Sequence, residues 1–437
     1  MPPAAHIFVE HAEGFRGTKT TSTPSKSAII GAAIFISIIP PCALAAEPIK
    51  VLCTGHADAM PWLGSLLTNE PMTDVTVIPT RIGSHTVGLV PSTIKRYMRL
   101  YFPRTYQQLV EKYDFLLLEQ IDSQYFTTKQ FEWMRRAVDD DGIGGLQDRS
   151  VMSMHIWLSM PWSETPLARA FPNDAEAVVR TDYHRNGNLD IIINEDPDVP
   201  DVIRRYRDVL NLHVGPWGNN LMIPRPGAQI YTWSKTNVFP EVAYPIPGLF
   251  PHIMGWRYGK GYTWSVQDIL GTSFWTPTIN PYGNDVMISM IMYSCDRRLP
   301  DDVVLVHNLR ASFSRYGEIK NFIVSLIEFV DKFGAKTSPL ESKLGDMDAS
   351  WRRARELYLE QDYAASDQEI SRLLESLEGL RGDALRLKDR ALLWIYIIEW
   401  LSISGTLLVS GSVVWTLMVR RRLYRRAGTT RLTAEHY

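Results

Sequence analysis

The sequence predicts an α/β domain with a mostly parallel sheet, followed by a helical hairpin stalk and one transmembrane helix. In residues 47–335, short apolar runs alternate with amphipathic stretches, as in α/β proteins. One run, DFLLLE at residues 114–119, is typical of a central parallel strand that is covered on both faces. Charged, helix-favouring sequence at 346–391 then leads into residues 392–419, an apolar stretch with one charged side chain.

Composition limits the class of protein. With 437 residues, 22% of them charged and 45% hydrophobic, the chain can form two domains or one large domain with appendages. A net charge of -2 gives no broad positive field, so we predict no nucleic-acid partner. The three cysteines show no C-x-x-C spacing, and the sequence predicts neither a metal site nor a cofactor.

Residues 1–46 have the organisation of a signal peptide. A polar segment with positive charges precedes the apolar residues 28–39, and Ala43 and Ala45 supply the small residues of a cleavage site. Cleavage near Ala45 or Ala46 starts the mature chain around Glu47. An uncleaved anchor is the alternative, because the polar segment is unusually long.

The first half of the domain reads as strands and helices in turn. A helix capped by Thr127 or Thr128 carries Phe131, Met134 and Val138 on one face, and the Asp- and Gly-rich residues 139–145 end it. The other predicted strands are 50–53, 75–79, 114–119 and 151–156, and the other predicted helices are 57–67, 92–100 and 106–112.

The second half is less regular. Residues 216–251, rich in Pro, Gly and aromatic residues, are expected to be an irregular loop packed on the sheet. Glycines between 252–258 and 262–267 predict a hairpin. The remaining predictions are strands at 190–194 and 303–307 and helices at 201–212, 285–293 and 316–333.

The stalk is predicted to be an antiparallel hairpin, with an intermolecular coiled coil as the alternative. Its first helix presents Trp351, Ala354 and Tyr358 on one face. The second carries a heptad-spaced seam: Ile370, Leu373, Leu377, Leu380, Ala384, Leu387 and Ala391. Because the first helix looks short, we expect the membrane-proximal half of the seam to be uncovered. That predicts weak self-association, or pairing with another single-span protein, through the stalk and span.

Residues 392–419 predict a single transmembrane helix. The part from 401 to 419 alone rises roughly 28 Å at about 1.5 Å per residue, close to the hydrocarbon thickness. A basic tail, 420–437, follows, and Arg-rich tails are retained in the cytoplasm. The large domain is therefore expected outside the cell membrane. A buried core helix is the alternative, although such helices are usually shorter and lack a basic stop.

A resemblance rests on the arrangement of motifs over roughly residues 48–332. The sequences YDFLLLEQID and TTKQFEWMRRAVDDDG, followed later by YGKG at 258–261, resemble the class I glutamine amidotransferase-like superfamily. The resemblance implies a flavodoxin-like, doubly wound sheet. Catalytic members carry G-x-C-x-G and H-x-E motifs, but residues 142–155 contain no cysteine and the H-x-E at His11 precedes the signal segment. We therefore expect a degenerate, non-catalytic domain.

Polar residues after two predicted strands are the candidate ligand site. His56 and Asp58 follow the first strand, Glu119 and Asp122 follow the third, and His155 comes from the region that would carry the catalytic elbow. The carboxyl ends of parallel strands meet at one edge, where ligands bind, although such residues also cap and form turns. The remaining histidines, His184, His213, His252 and His307, are predicted to be surface or satisfied core residues.

Two functions follow from this reading. The first is a membrane-anchored extracytoplasmic protein that binds a partner protein or small ligand. The second is a hydrolase or metal-dependent enzyme acting on a carbohydrate-like substrate, using His56, Asp58, Asp122 and His155. Cys53 and Cys295, the cysteines that follow the signal segment, are expected to be two buried free thiols or a disulfide, which sequence does not decide.

Overall fold

A computed structural model describes residues 47–82, 90–148, 162–174, 179–180, 190–214, 220–235 and 248–432. These residues belong to one unit, Ala45–Tyr437. The predicted signal segment, the predicted strand at 151–156 and His155 lie outside the described residues.

The protein is a mixed α/β structure built on an eight-stranded sheet within the described part of the chain. The sheet order is β2-β1-β3-β4-β10-β9-β8-β6, and a short pair, β5 and β7, lies apart from it. Strands β2, β1, β3, β4 and β10 run parallel, while β9 and β6 run in the opposite direction. The strands are β1 Ile49–His56, β2 Thr73–Arg81, β3 Phe115–Glu119, β4 Gly144–Asp148, β5 Val179–Arg180, β6 Asp190–Ile193, β7 Asn220–Leu221, β8 Gln229–Lys235, β9 Leu249–Tyr258 and β10 Gly261–Val266.

Helices cover both faces of the sheet. Apolar residues of α1 and α5 pack in one core on one face, and those of α2, α3 and α4 pack in a second core on the other. The α-helices are α1 Met60–Asn69, α2 Pro91–Tyr101, α3 Tyr106–Lys112, α4 Thr128–Asp141, α5 Gly283–Ser294, α6 Val303–Asp331, α7 Ser338–Leu359 and α8 Tyr363–Leu432.

Three predictions that rest on strong local signals are confirmed. The DFLLLE run forms β3, which is buried throughout between β1 and β4. Thr127 and Gln130 form a reciprocal capping box at the start of α4. Gly142 ends that helix with a φ of 84°, a conformation that glycine adopts at little cost. The predicted hairpin is the β9–β10 pair.

Four secondary-structure predictions are wrong. Residues 144 and 145, expected in the break after α4, begin β4, and residues 216–251 include β8 rather than only loop. Residues 201–212 form turns around a short 3₁₀ helix, Arg204–Tyr206, although Val202 and Tyr206 are buried as expected. Residues 303–307 are the first turn of α6, where Asp302 caps the helix by accepting hydrogen bonds from the backbone of Val304 and Leu305.

The stalk contains three helices rather than two. α7 and α8 form the predicted antiparallel hairpin, and α6 packs beside it, so that Ile370, Leu377, Leu380 and Ala384 are all at most 2% exposed. The expected uncovered half of the seam is therefore wrong, because α7 begins at Ser338 and α6 supplies a second covering helix. One ion pair joins α6 to α8, Arg315 to Glu378 at 3.0 Å, and another joins α7 to α8, Lys343 to Asp383 at 3.2 Å.

A buried ionic network attaches the stalk to the sheet domain. Arg310 of α6 lies 2.8 Å from Glu70, which follows α1, and 2.7 Å from Asp285 of α5. Tyr358 of α7 donates a 2.7 Å hydrogen bond to Glu70 and accepts one of 2.9 Å from Arg310. His307 adds a 2.7 Å contact to Asp285. Four elements therefore meet around one guanidinium.

Helix α8 continues without interruption from the stalk into the apolar segment. It has 70 residues, and its apolar part is long and hydrophobic enough to cross a membrane. None of the most apolar window is buried against the rest of the chain. In a core helix, by contrast, the apolar residues pack inside the protein.

Arg310→Ala should lower the free energy of unfolding by about 3–5 kcal/mol, because it leaves two buried carboxylates without a counter-charge. Tyr358→Phe should cost about 1–3 kcal/mol, since it removes one hydroxyl. Denaturant unfolding of the full-length protein in detergent measures both. The matched control is Arg315→Ala, which breaks the exposed ion pair with Glu378 and should change stability far less, because water and salt screen that pair. Equal losses for Arg310→Ala and Arg315→Ala contradict this account.

Candidate functional site

The carboxyl ends of the parallel strands bring the candidate residues together. β1 ends at His56, β3 ends at Glu119, and β4 ends at Asp148. The strand order changes direction between β1 and β3, because β2 lies on the outer side of β1 while β3 and β4 lie on the other side. In open α/β sheets, ligands bind at this topological switch point.

His56 and Glu119 meet there directly. The backbone N–H of His56 donates a 2.7 Å hydrogen bond to Oε2 of Glu119. The close approach requires glycine at position 55, since a Cβ there would lie 2.1 Å from the backbone oxygen of Glu119 and 2.7 Å from its Oε2. Three residues therefore build this junction: Gly55 and His56 at the end of β1, and Glu119 at the end of β3.

Glu119 and Asp148 form a buried carboxyl pair, each 0% exposed. Burial raises the pKa of Glu119 well above its ordinary value, and the charge of Asp148 raises it further. Burial likewise raises the pKa of Asp148 to about 7. Two carboxyl groups in such an environment do not ionise together at neutral pH, so the pair retains a proton there.

Gln120 links the pair to the nearest cation. Its backbone N–H donates a 2.9 Å hydrogen bond to Oδ1 of Asp148, and its side-chain oxygen accepts a 3.5 Å contact from Arg81. Gln120 has a φ of 45°, in the left-handed region that non-glycine residues rarely occupy. Such strain persists where the surrounding structure enforces it, often at functional sites.

Arg81 and His56 line the more exposed side of the junction, and both side chains are half-buried. Burial, and next the charge of Arg81, lowers the pKa of His56, while Asp58 raises it. His56 is therefore a neutral imidazole at physiological pH, able to donate or accept a hydrogen bond. Arg81 supplies the positive charge that moderates the pKa values of both buried carboxyls.

Several buried polar atoms at this edge have no hydrogen-bond partner in the described part of the chain. They are Thr54 Oγ1, Thr80 Oγ1, Glu119 Oε1, Asp148 Oδ2 and Asp268 Oδ1. A buried polar atom left unpaired costs about 1–3 kcal/mol. A cluster of them therefore marks a place where a hydrogen-bonding solute gains more than it would on an ordinary surface.

The sequence-predicted site residues differ in their placement. His56 and Glu119 are in contact, as the strand-end argument expected. Asp58 lies in the turn after β1, near His56. Asp122 caps the 3₁₀ helix Ser123–Tyr125, accepting a 3.0 Å hydrogen bond from the backbone of Gln124. His155 lies outside the residues that the structure describes.

Sequence reasoning missed Arg81, Gln120 and Asp148. Asp148 was lost because GGLQD was not recognised as a strand. The signal was present, since a polar residue ending a strand next to β3 is by the same rule a candidate for this edge. Arg81 ends β2 and could have been found in the same way.

A second polar cluster surrounds His252 on β9. Its Nδ1 lies 3.0 Å from the Thr232 hydroxyl and its Nε2 lies 2.9 Å from Asp268. All three side chains are 0% exposed, and both ring nitrogens of His252 have a hydrogen-bond partner. His252 is a core residue whose hydrogen bonds are satisfied. His213 is a surface residue, with 85% of its side chain exposed.

Neither described cysteine is placed for nucleophilic chemistry. Cys53 is buried in the middle of β1, and burial raises its pKa strongly, which keeps the thiol protonated. Cys295 follows α5, and both thiols are free. Within the described ranges, no group of three or more His, Cys, Asp or Glu residues is arranged to bind a metal ion.

Comparisons with known proteins give little further guidance. The chain matches no known family profile and no curated protein. It is similar to a solved cytoplasmic protein of Salmonella typhimurium, with 15% identity over 56% of this chain and 99% of that one, at a TM-score of 0.38. It is also similar to a beta-galactosidase of Bacillus circulans, with 11% identity over 57% of this chain and 32% of that one, at a TM-score of 0.28. Likenesses this weak carry no argument about fold or function.

The carboxyl pair makes stability depend on pH. In the unfolded chain an aspartate titrates near 4, whereas folded Asp148 titrates at about 7. The folded state therefore holds more protons between these values, and the contribution of Asp148 to stability falls as pH rises from about 4 to about 7. Asp148→Asn should remove this loss, on the order of 4 kcal/mol at pH 8 relative to pH 4, while its amide oxygen still accepts from Gln120.

The measurement is denaturant unfolding of both proteins from pH 4 to pH 8. Asp74→Asn, at an exposed position near the amino end of β2, is the matched control and should track the wild type. If the wild type and Asp148→Asn differ by a constant amount across this range, the carboxyl pair is not protonated as described.

Proposed function

We propose that this protein is a membrane-anchored, extracytoplasmic binding protein whose α/β domain takes a small ligand or a segment of a partner protein at the carboxyl edge of its sheet. The observation that carries the proposal is the buried Glu119–Asp148 pair, with unpaired oxygens, at the switch point between β1 and β3. Unpaired carboxyl oxygens next to Arg81 favour a ligand that offers hydroxyl, amide or ammonium donors together with a group that accepts from a guanidinium.

We further propose that the domain is flavodoxin-like and a degenerate relative of the class I glutamine amidotransferase-like superfamily. The order β2-β1-β3-β4-β10 has the form 2-1-3-4-5, with helices on both faces. Burial of Cys53 within β1 supports a domain without glutaminase chemistry, since that reaction needs an exposed, activated thiolate.

The membrane topology completes the proposal. Helix α8 crosses the cell membrane once, with the Arg-rich tail in the cytoplasm and the sheet domain outside. The 29 residues of α8 before the apolar stretch span about 40 Å, which sets the distance of the domain from the bilayer. Because the stalk seam is buried within the chain, any pairing with another single-span protein uses the span, where Gly405 and Ser412 share one face.

A hydrolase acting on a carbohydrate-like substrate is the second candidate. One observation favours it, namely that the raised pKa of Asp148, about 7, is the value that a general acid needs near neutral pH. In that case the Glu119–Asp148 pair supplies the proton, and His56 and Asp58 line the approach. The binding function stands first because no described nucleophile accompanies the pair.

Protease added to intact cells or spheroplasts should digest the sheet domain and spare a tag placed after Tyr437. The reason is that the Arg-rich tail holds the carboxyl end in the cytoplasm. Immunoblotting for the tag detects the protected fragment, and detergent lysis before protease is the control. Protection of the domain with loss of the tag contradicts the topology.

Arg81→Ala should abolish ligand-dependent stabilisation, because it removes the cation beside the carboxyl pair. The test is thermal unfolding of the full-length protein in detergent with a panel of amino acids, monosaccharides, disaccharides and short peptides. A compound bound at this edge raises the Tm of the wild type and of Asp74→Ala, but not of Arg81→Ala.

The same panel separates the two candidate functions. Binding without turnover supports the first. If sugar is released and Asp148→Asn abolishes that release, the hydrolase function is established and the binding function is refuted. Ammonia release from glutamine that depends on Cys53 contradicts the proposal of a degenerate domain. A ligand that stabilises the wild type and Arg81→Ala equally contradicts the placement of the binding site beside Arg81.

A further inference from the structure

The turn between α6 and α7 lies at the level where the apolar part of α8 begins. Arg315 of α6 contacts Glu378 of α8, and the two helices run in the same direction. Fourteen residues further along each helix bring Phe329 level with Leu392, the first residue of the apolar stretch.

A contact of α7 independently places the α6–α7 turn at the same level. α7 runs opposite to α8, and Lys343 contacts Asp383. Ser338, five residues before Lys343, is therefore level with Lys388, and residues 332–337 lie beyond it toward the apolar stretch. Burial agrees, because Ala391 is 8% exposed while Leu393 is 59% exposed, so the helical bundle ends there.

This turn presents an apolar tip flanked by cations. Phe329 and Phe333 are 38% and 49% exposed, and their rings pack edge to face at 5.0 Å between centroids. Lys332 and Lys336 are exposed on either side. Gly334, with a φ of 73°, allows the chain to turn sharply after α6. Two clustered phenylalanines in contact with water are costly for a surface that stays in solution.

We propose that this turn, Phe329 to Lys336, rests on the lipid headgroup layer of the membrane that α8 crosses. The phenylalanine rings enter the interface, where apolar and aromatic side chains gain by leaving water, and the two lysines contact lipid phosphates. The inference rests on the proposed membrane anchoring. The turn then provides a second point of attachment to the membrane besides α8. Two points of attachment fix the orientation of the stalk and the sheet domain, which a single helix would leave free to rotate.

Phe322 is the matched control within the same helix. It is similarly exposed, at 41%, but it is level with residue 385, about 10 Å short of the apolar stretch. The guanidinium of Arg381 covers its ring at 5.4 Å. The proposal therefore predicts lipid contact at Phe329 and Phe333, and none at Phe322.

The experiment places the photo-crosslinker p-benzoylphenylalanine at position 322, 329, 333 or 394 of the full-length protein. Each variant is reconstituted into vesicles of phosphatidylcholine and phosphatidylglycerol that contain a radiolabelled phospholipid. Positions 329, 333 and 394 should crosslink to lipid after illumination, and position 322 should not. Lys332→Glu with Lys336→Glu should reduce crosslinking at 333 about fivefold or more in anionic vesicles, with a smaller change in pure phosphatidylcholine.

The outcomes separate this inference from the function on which it rests. Crosslinking at 394 without crosslinking at 329 and 333 overturns the docking of the turn and leaves the membrane anchor intact. Absence of crosslinking at all four positions overturns the docked turn, and the protease test on intact cells then decides whether the anchor fails with it. Equal crosslinking at 322 and 333 also overturns the proposal, because the contact would not depend on the level of the turn.

Discussion

The structure depends on one buried guanidinium. Arg310 lies between Glu70 and Asp285, and the hydroxyl of Tyr358 completes the contacts. A charge so far from water is tolerated only when its partners are fixed in position. The network therefore requires α1, α5, α6 and α7 to meet in one arrangement, and an alternative docking of the stalk on the sheet would leave charges unpaired. Specificity of assembly, more than net stability, is what such a network contributes.

The stalk attaches to the sheet domain at a distance from the candidate site. α1 begins shortly after His56 at the carboxyl edge of the sheet and ends at Asn69, about 15 Å away. The stalk binds at that far end, through Glu70 and through a 3.3 Å hydrogen bond from Arg355 to the backbone oxygen of Pro71. The stalk and the site are thus separated by the length of a helix, so a ligand can approach the site without displacing the membrane-proximal helices.

Sequence predicted the elements with strong local signals and failed where tertiary contacts decide. The capping box at Thr127 and the apolar β3 were readable because their determinants lie within a few residues. β4 was missed because Gly144 reads as a breaker, yet a Cβ there would lie 2.6 Å from Phe115 and from Ser294, so close packing demands glycine. The β-branched residues 303–307 favoured a strand, but the Asp302 cap and the burial of Val306 in the core outweigh that propensity. Because β4 was not predicted, Asp148 was not among the predicted site residues.

Several energetically unfavourable features occur together at the carboxyl edge of the sheet, unlike in the apolar core. Glu119 and Asp148 are buried as a pair, Gln120 between them has a left-handed backbone, and Gly55 is held against Glu119 with no room for a side chain. A fold selected for stability alone would fill these positions with apolar residues, as it does two residues earlier at Leu117 and Leu146. Each cost is of order 1–3 kcal/mol, a large share of the stability of a typical domain. Their concentration at the switch point of the sheet is the observation on which the proposed binding function rests.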